Sequence, residues 1–504
     1  GEDGEYVVPS LPVGHYDVTV EHGGFKTSSR QGLTLNVGDN LAINFSLEVG
    51  TAQQEVTVTG EAPLVNTENS TLGGLVNEQQ MSDLPLNGRN YMDLSLMQPG
   101  VTQDRNNGQY QGASTQYSSN GAPVRSNNFT LDCAPVSTLM GRAPGSESGN
   151  SMGVDGIKEF KVITSNFTAE YGLAMGSQMA MVSKNGTNQF HGDAFEFIRN
   201  STLDARNYFD LPPSRLNGHR LPEFQKNNFG GSFGVPIKKD KTFFYGVFEG
   251  LRQKLGVSPL ITVPADACHP ANATAANNYG AGSVIWNGSG SRPASSAGAC
   301  PAQQLGTSAQ LNSLPASDLY FDPTTHQPTG VILNPLIAPL FWAIYPNSSN
   351  PALGPPNSGA TGYSYPSSDI THETYGQMRV DHTFSSADTA FARYTIEDDD
   401  LDNNGSSVLP SSASSSYPQY RTTGGSRNQY LSIVENHIFS PVLLNTARLS
   451  GSRTAYKIQD QYNGTGATIG PQFSFAPGQP MGRIYMSGGI TAYAPGQNNP
   501  SIGT

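Results

Sequence analysis

The sequence predicts an all-β-dominated protein: a partial β-sandwich, then a mixed α+β unit, then an incomplete antiparallel transmembrane β-barrel. Three observations carry this: composition, clean period-two alternation in several of seven candidate strands, and the alternation of short with long connections. Charged residues make up 13% of the 504 residues, against about 25% in ordinary soluble domains. The chain holds 56 Gly, 35 Pro, 22 Phe and 22 Tyr, a composition of many short strands and polar loops. With 36% apolar residues it can build a core, which excludes pure disorder. Its net charge of −12 makes nucleic acid a poor partner. No helix crosses a membrane: the most apolar stretch, 331–345, is short and carries Asn334, Pro335 and Pro339, whereas a span needs about 20 residues.

Residues 1–49 alternate as a small sandwich does, at 5–8, 16–20, 33–37 and 41–47. Four strands are too few for two facing sheets, so the chain reads as a segment of a longer protein. Residues 50–60 read as a linker, with Val and Thr alternating through Glu55-Val56-Thr57-Val58-Thr59. Residues 61–190 lose the regular hairpin spacing, and Pro85, Gly88, Pro99 and Gly100 break any long element there. This predicts a compact unit that folds apart from the strands that follow.

Residues 191–504 supply the barrel segment. Candidate strands cover 191–199, 227–236, 242–252, 375–384, 389–397, 429–439 and 442–453. Met378, Val380, His382 and Phe384 face one way, and Gln377, Arg379, Asp381 and Thr383 the other. Ala390, Ala392, Tyr394 and Ile396 likewise oppose Thr389, Arg393, Thr395 and Glu397, with Phe391 as the breach. One face suits lipid and the other a polar lumen. Connections run long (200–226), short (238–241), very long (253–374), short (385–388), long (398–428) and short (440–441). Outer-membrane barrels segregate loop length by end in this way, and soluble sandwiches have no reason to. A short amphipathic helix is expected over 334–346, inside the longest connection.

The wording DGEYVVPSLPVGHYDVTVEHGGF resembles the carboxypeptidase regulatory-like domain, a non-catalytic sandwich. GIKEFKVITSNFTAEYG, GSQMAMVSKNGTNQFHGDAFEFIRN and FGGSFGVPIKKDKTFFYGVFEGLRQ resemble TonB-dependent outer-membrane receptors of the Oar-like group. MRVDHTFSSADTAFARYT continues the resemblance, which runs in order across most of the chain. It implies that 61–190 is a plug inside the barrel, that the N-terminal domain is periplasmic, and that the protein sits in the bacterial outer membrane. It also implies transport of a large or scarce solute, oligosaccharide or peptide being the candidate classes, driven by a TonB-type complex. Where the family carries an LDG run, this chain reads Leu131-Asp132-Cys133, so the loop is expected to differ in shape.

Glu55, Val56, Thr57, Val58 and Thr59 lie where such a receptor places its TonB contact, and extended β-branched residues can add a strand to a partner's sheet edge. A plain linker or last sandwich strand is the other reading. The polar-aromatic stretch Asp104, Arg105, Asn106 and Tyr110, with Tyr117 nearby, is the candidate substrate contact; a solvated loop is its alternative. Asp400, Asp402 and Asn404 fit the first half of a calcium loop, although Ser411 stands where a bidentate Glu belongs. Otherwise no cofactor is expected. Cys268 and Cys300 share one loop-like region and close a disulfide if the compartment is oxidising; free thiols are the alternative. No zinc, phosphate-loop or nucleophile-elbow motif occurs: Gly145-Ser146-Glu147-Ser148-Gly149 puts Glu where the nucleophile belongs. An enzyme is therefore not expected. The second function class is a surface adhesin or structural β-protein that binds glycan or protein.

Overall fold

The computed structural model describes residues 4–8, 11–50, 55–59, 71–104, 115–206, 221–257, 260–264, 284–291, 311–332, 360–403 and 420–462, less a few short stretches within these ranges, together with Cys268, Pro293 and Cys300. Its N-terminal sheet holds β1 (Gly14–Val20), β2 (Thr27–Leu35) and β3 (Glu55–Thr59) in that order. β1 and β2 are antiparallel, whereas β3 lies parallel to β2, from Thr27 opposite Glu55 to Gln31 opposite Thr59. The linker expected over 50–60 thus carries the sheet's edge strand. Residues 41–47 alternate in exposure as expected but join no ladder among the described residues.

The inner unit is a five-stranded sheet in the order β4 (Leu72–Val76), β7 (Ile157–Ser165), β8 (Gln178–Ser183), β5 (Asn128–Leu131), β6 (Ala134–Pro135). Helix α1 (Glu78–Asp83) starts at a capping box, in which Asn77 and Gln80 satisfy each other's backbone N–H. Phe160, Val162, Met179, Met181, Phe129 and Met92 form the centre of its apolar core.

The wall is a seven-stranded antiparallel sheet in chain order: β9 (His191–Asn200), β10 (Phe224–Lys238), β11 (Thr242–Val257), β12 (Ser367–Ser385), β13 (Asp388–Asn403), β14 (Tyr420–Ser440) and β15 (Leu443–Tyr462). Every strand expected from the alternation is present, in the expected order. Most extend further than the alternation reached: the strand expected over 375–384 is Ser367–Ser385. Past Gly376 both faces are polar, with Thr374 and His372 outward and Glu373 and Thr371 inward, so the two-face pattern that marks a strand disappears while the ladder continues.

Side chains on the wall are arranged inside out. Outward Met378 and Phe384 are 53% and 59% exposed, whereas inward Gln377 is 3% exposed and Arg393 0%. The outward apolar belt on β12 runs over 376–384, roughly 20–25 Å once strand tilt is allowed for, the height of a barrel's lipid-facing band. It adjoins the tight turns at 238–242, 385–388 and 440–443. Beyond it the outward residues become Asp398, Asp400 and Arg427, in a ladder that stays paired from Glu397 opposite Asn428 to Asn403 opposite Thr422. Phe391, the breach in the pattern, faces inward beneath the Arg379 guanidinium, 4.0 Å from its ring centre.

In the connection between β11 and β12, Val284–Trp286, Leu319–Phe321 and Pro328–Ile332 form a small sheet. Cys268 and Cys300 are disulfide-bonded, and the Cys300 N–H donates to the Trp286 carbonyl at 2.6 Å. The helix expected over 334–346 lies outside the described residues.

Candidate functional site

The hairpin between β5 and β6 turns through Asp132 and Cys133, with φ of 52° and 63°. Both residues are left-handed, the geometry of a two-residue turn that favours Asp-Gly. The loop expected to differ in shape therefore keeps the turn that Asp-Gly would make, with Cys133 strained in the glycine position. The turn aims Asp132 at the wall. Its carboxylate accepts from the Ser183 N–H at 3.0 Å and hydroxyl at 2.7 Å, and from Arg393 Nε at 2.6 Å. Arg379 Nη1 stands 3.6 Å away. Burial works to raise the Asp132 carboxyl, but the two guanidiniums and Ser183 prevail and hold it below the usual carboxylate range. Arg393 also donates to the Leu131 carbonyl at 3.0 Å and Thr395 Oγ1 at 2.9 Å, so this fully buried cation is satisfied from both sides.

Two further anchors stand nearer the long-loop end. Arg89 (φ 58°) places its guanidinium 2.5 Å from Asp155 on the inner unit, 3.3 Å from the fully buried Glu249 on β11, and 3.8 Å from the Phe195 ring centre. Glu249 also accepts from the Gly153 N–H at 2.8 Å. Gly153 has φ 85°, and a Cβ there would meet the Tyr375 ring at 2.2 Å, so no other residue fits. Glu373 on β12 accepts from Ser148 Oγ at 2.7 Å and Asn150 Nδ2 at 3.1 Å, and Gln377 Nε2 and Asn428 Nδ2 donate to the Gly156 and Gly145 carbonyls, both at 3.1 Å. Between these anchors lies a cavity of about 30 Å³ lined by Tyr91, Tyr375, Glu397 and Tyr430, room for one water. The seam can hold the inner unit in place through directional bonds that water can replace.

The residues singled out from sequence fare differently. Tyr117 lies in the inner core rather than at the surface: it is 1% exposed, edge-on to Phe129, with its hydroxyl 3.2 Å from Ser177. Burial pushes that hydroxyl's pKa up to about 12. A tyrosine among Ser and Asn looks like a loop residue, yet here it sits on a short strand, Tyr117–Ser119. Asp104 is the last described residue of its segment, and Arg105, Asn106 and Tyr110 lie outside the described residues.

Asp400 and Asp402 form no calcium loop. Both lie in β13, opposite His372 and Ile370, and same-face neighbours on a strand stand about 6.6–7 Å apart, too far for short side chains to converge on one ion. Asn404 lies outside the described residues.

Among the described residues one group of three metal-ligating side chains occurs, Asp388, Glu435 and His437, with ligand atoms within 4.8 Å on the outward tight-turn rim. His437 Nδ1 lies 3.5 Å from Asp388 and 3.8 Å from Glu435. Sequence reading missed the seam because its partners are distant in the chain: 261 positions separate Asp132 from Arg393. The available signal was the inward face of two adjacent strands, with Arg379 on β12 opposite Arg393 on β13 and Glu397 further along β13.

Comparison with known proteins agrees with this architecture. Residues 1–48 match the carboxypeptidase regulatory-like domain. The TonB-dependent transporter Oar of Myxococcus xanthus is 22% identical over 257 residues, which are 49% of this chain and 23% of that protein. Among solved structures, the outer membrane transporter YddB of Escherichia coli is 12% identical, with a TM-score of 0.41 over 77% of this chain and 39% of its own. The siderophore receptor PirA of Acinetobacter baumannii is 13% identical, with a TM-score of 0.34 over 77% of this chain and 45% of its own. The chain thus spans about a quarter of its curated relative and under half of these two structures. The outer membrane beta barrel domain matches residues 182–503, well over half of the chain, and with its inside-out wall the protein belongs to that family of the outer membrane.

Proposed function

We propose that this chain is part of a TonB-dependent transporter in which the inner unit, over about 61–190, is the plug and the wall is the adjoining barrel. The observation that carries this reading is the polar seam. A folded unit with its own apolar core is held against the lumen face by ion pairs and hydrogen bonds, an attachment that can open while the unit stays folded. The likeness to Oar supports the energy source, and the solute belongs to the oligosaccharide or peptide class. Asp104, Arg105, Asn106 and Tyr110 remain the proposed contacts on the plug's external side.

The segment Glu55–Thr59 is the proposed TonB contact. As β3 it is an edge strand whose outer side has no partner strand among the described residues, and a partner strand can pair there through backbone hydrogen bonds. The test is binding of a purified periplasmic TonB domain to the full-length protein in detergent. Retention is expected, and loss is expected on deleting 55–59 or placing Pro at Val56 or Val58, with single alanines mild. Equal binding with the segment deleted would place the coupling element elsewhere. Extraction from outer-membrane fractions without detergent would favour an adhesin.

A further inference from the structure

Among the described residues, the N-terminal domain meets the inner unit at the turn after β2 and at Val13. The turn directly after β2 runs from Asn36 to Asp39 and is braced internally by Asn36 Nδ2 donating to Asp39 Oδ2 at 2.9 Å. It seats on the face of β7 opposite the core residues Phe160 and Val162. There the Val37 N–H donates to Glu159 Oε1 at 2.5 Å, and Lys161 Nζ lies 2.8 Å from Asp39 Oδ1. Lys158 Nζ donates to the Val13 carbonyl at 2.7 Å. Gly38 has φ 67°, and a Cβ on it would stand 3.1 Å from the Tyr171 hydroxyl. Glu159 is 7% exposed, and burial pushes its carboxyl up, partly offset by the Val37 N–H. This is a fitted contact, with donors and acceptors matched on both sides.

β2 carries two attachments. Over Thr27–Gln31 it is paired with β3, and at its C-terminal end it runs into the turn that grips β7. β7 is an interior strand of the inner sheet, and its neighbour β8 ends in Ser183, which binds Asp132 and Arg379 of the seam. β4, which the chain enters after β3, is the edge strand of that sheet.

We propose that the N-terminal sheet is a lever: a pull on β3 enters the inner unit through β2 and the 36–39 turn into β7, rather than only along the covalent chain into edge strand β4. This rests on the reading of β3 as the point of pull. It assigns the sandwich a mechanical task, in which it travels with the inner unit and delivers load to the middle of its sheet. Load applied at β4 alone would peel an edge strand one pair at a time. Load applied at β7 acts on a strand paired on both sides, next to the seam that has to open.

The test uses the full-length protein in lipid nanodiscs and needs neither solute nor TonB. For the latch, Asp39→Lys, Lys161→Asp and their combination are compared by hydrogen exchange of the β7 amides. Each single change should speed exchange about two- to fivefold, and the swapped pair should recover most of it. Glu159→Gln should leave exchange unchanged, since its carbonyl still accepts from Val37, whereas Glu159→Ala should speed it. Exchange unaffected by both charge reversals would overturn the latch. For the lever, a covalent handle inserted between Ala52 and Gln53 is pulled against a tethered barrel. An oxidised Asp39→Cys/Lys161→Cys pair should leave the force that dislodges the inner unit unchanged, and the Glu159→Ala/Lys161→Asp variant should lower it. A cross-link that blocks dislodging would show that the sandwich has to detach first and would overturn the lever. TonB binding is measured separately, so failure of the transport reading is distinguishable from failure of this one.

Discussion

The inner unit has two kinds of interior. Its own core is apolar: Phe160 and Val162 are 0% exposed, with Met179, Met181 and Phe129 packed around them. Its border with the wall is as deeply buried but polar, and Arg393 and Glu249 have no exposed surface. Apolar contact is lost outright when water enters, whereas a hydrogen bond can be exchanged for one to water at a modest net cost of about 0.5–1.5 kcal/mol. The first kind of interior keeps the unit folded. The second lets it be held firmly and still be released.

Breaking the core should produce the largest effect. Phe160→Ala should cost the inner unit about 3–5 kcal/mol, read as accelerated hydrogen exchange throughout its sheet while the wall strands stay protected. Breaking the seam should be smaller and different in kind. Asp132→Asn removes the carboxylate facing a buried guanidinium and should cost about 2–3 kcal/mol, read as protease access to the inner unit with its internal exchange unchanged.

The same carboxylate sharpens the contrast through pH. Its pKa is lower when folded than when free, so its stabilisation is complete above the ordinary aspartate value of about 3.9 and is lost as pH falls through the lowered one. The part of protease access that Asp132 controls, read as the difference between wild type and Asp132→Asn, should therefore stay constant from pH 7 to about 5 and vanish only in strong acid. A smaller effect of opposite sign is expected at Cys133, whose φ of 63° suits glycine: Cys133→Gly should stabilise the turn by about 1 kcal/mol in thermal melts. The smallest belongs to the exposed pair of Arg427 and Asp398, where Asp398→Asn should leave the melt unchanged.

Much of the wall was legible because lipid on one side and lumen on the other enforce a period-two code. Met378, Val380 and Phe384 against Gln377, Arg379 and Asp381 state it plainly. The code stops at the membrane's edge, which is why the strands came out short. It also misled. Asp400 and Asp402 are alternate acids, and alternate acids look the same in a calcium loop as in the polar end of a strand. Glu55–Thr59 reads as a strand at once, but its parallel pairing with β2 depends on a neighbour more than twenty residues away and carries no local signature. The seam was the least legible part. Asp132 belongs to a turn that local chemistry explains, yet its two arginines are placed by the register of distant strands.

The ladder that rises past the apolar belt has a practical consequence. β13 and β14 are still paired at Asn403 and Thr422, roughly 20 Å beyond the last lipid-facing row. The 16 residues between Asn403 and Tyr420 thus join two stiff posts outside the bilayer. A foreign epitope spliced there would be displayed at the cell surface on a pedestal of main-chain hydrogen bonds, leaving the embedded belt and its folding untouched.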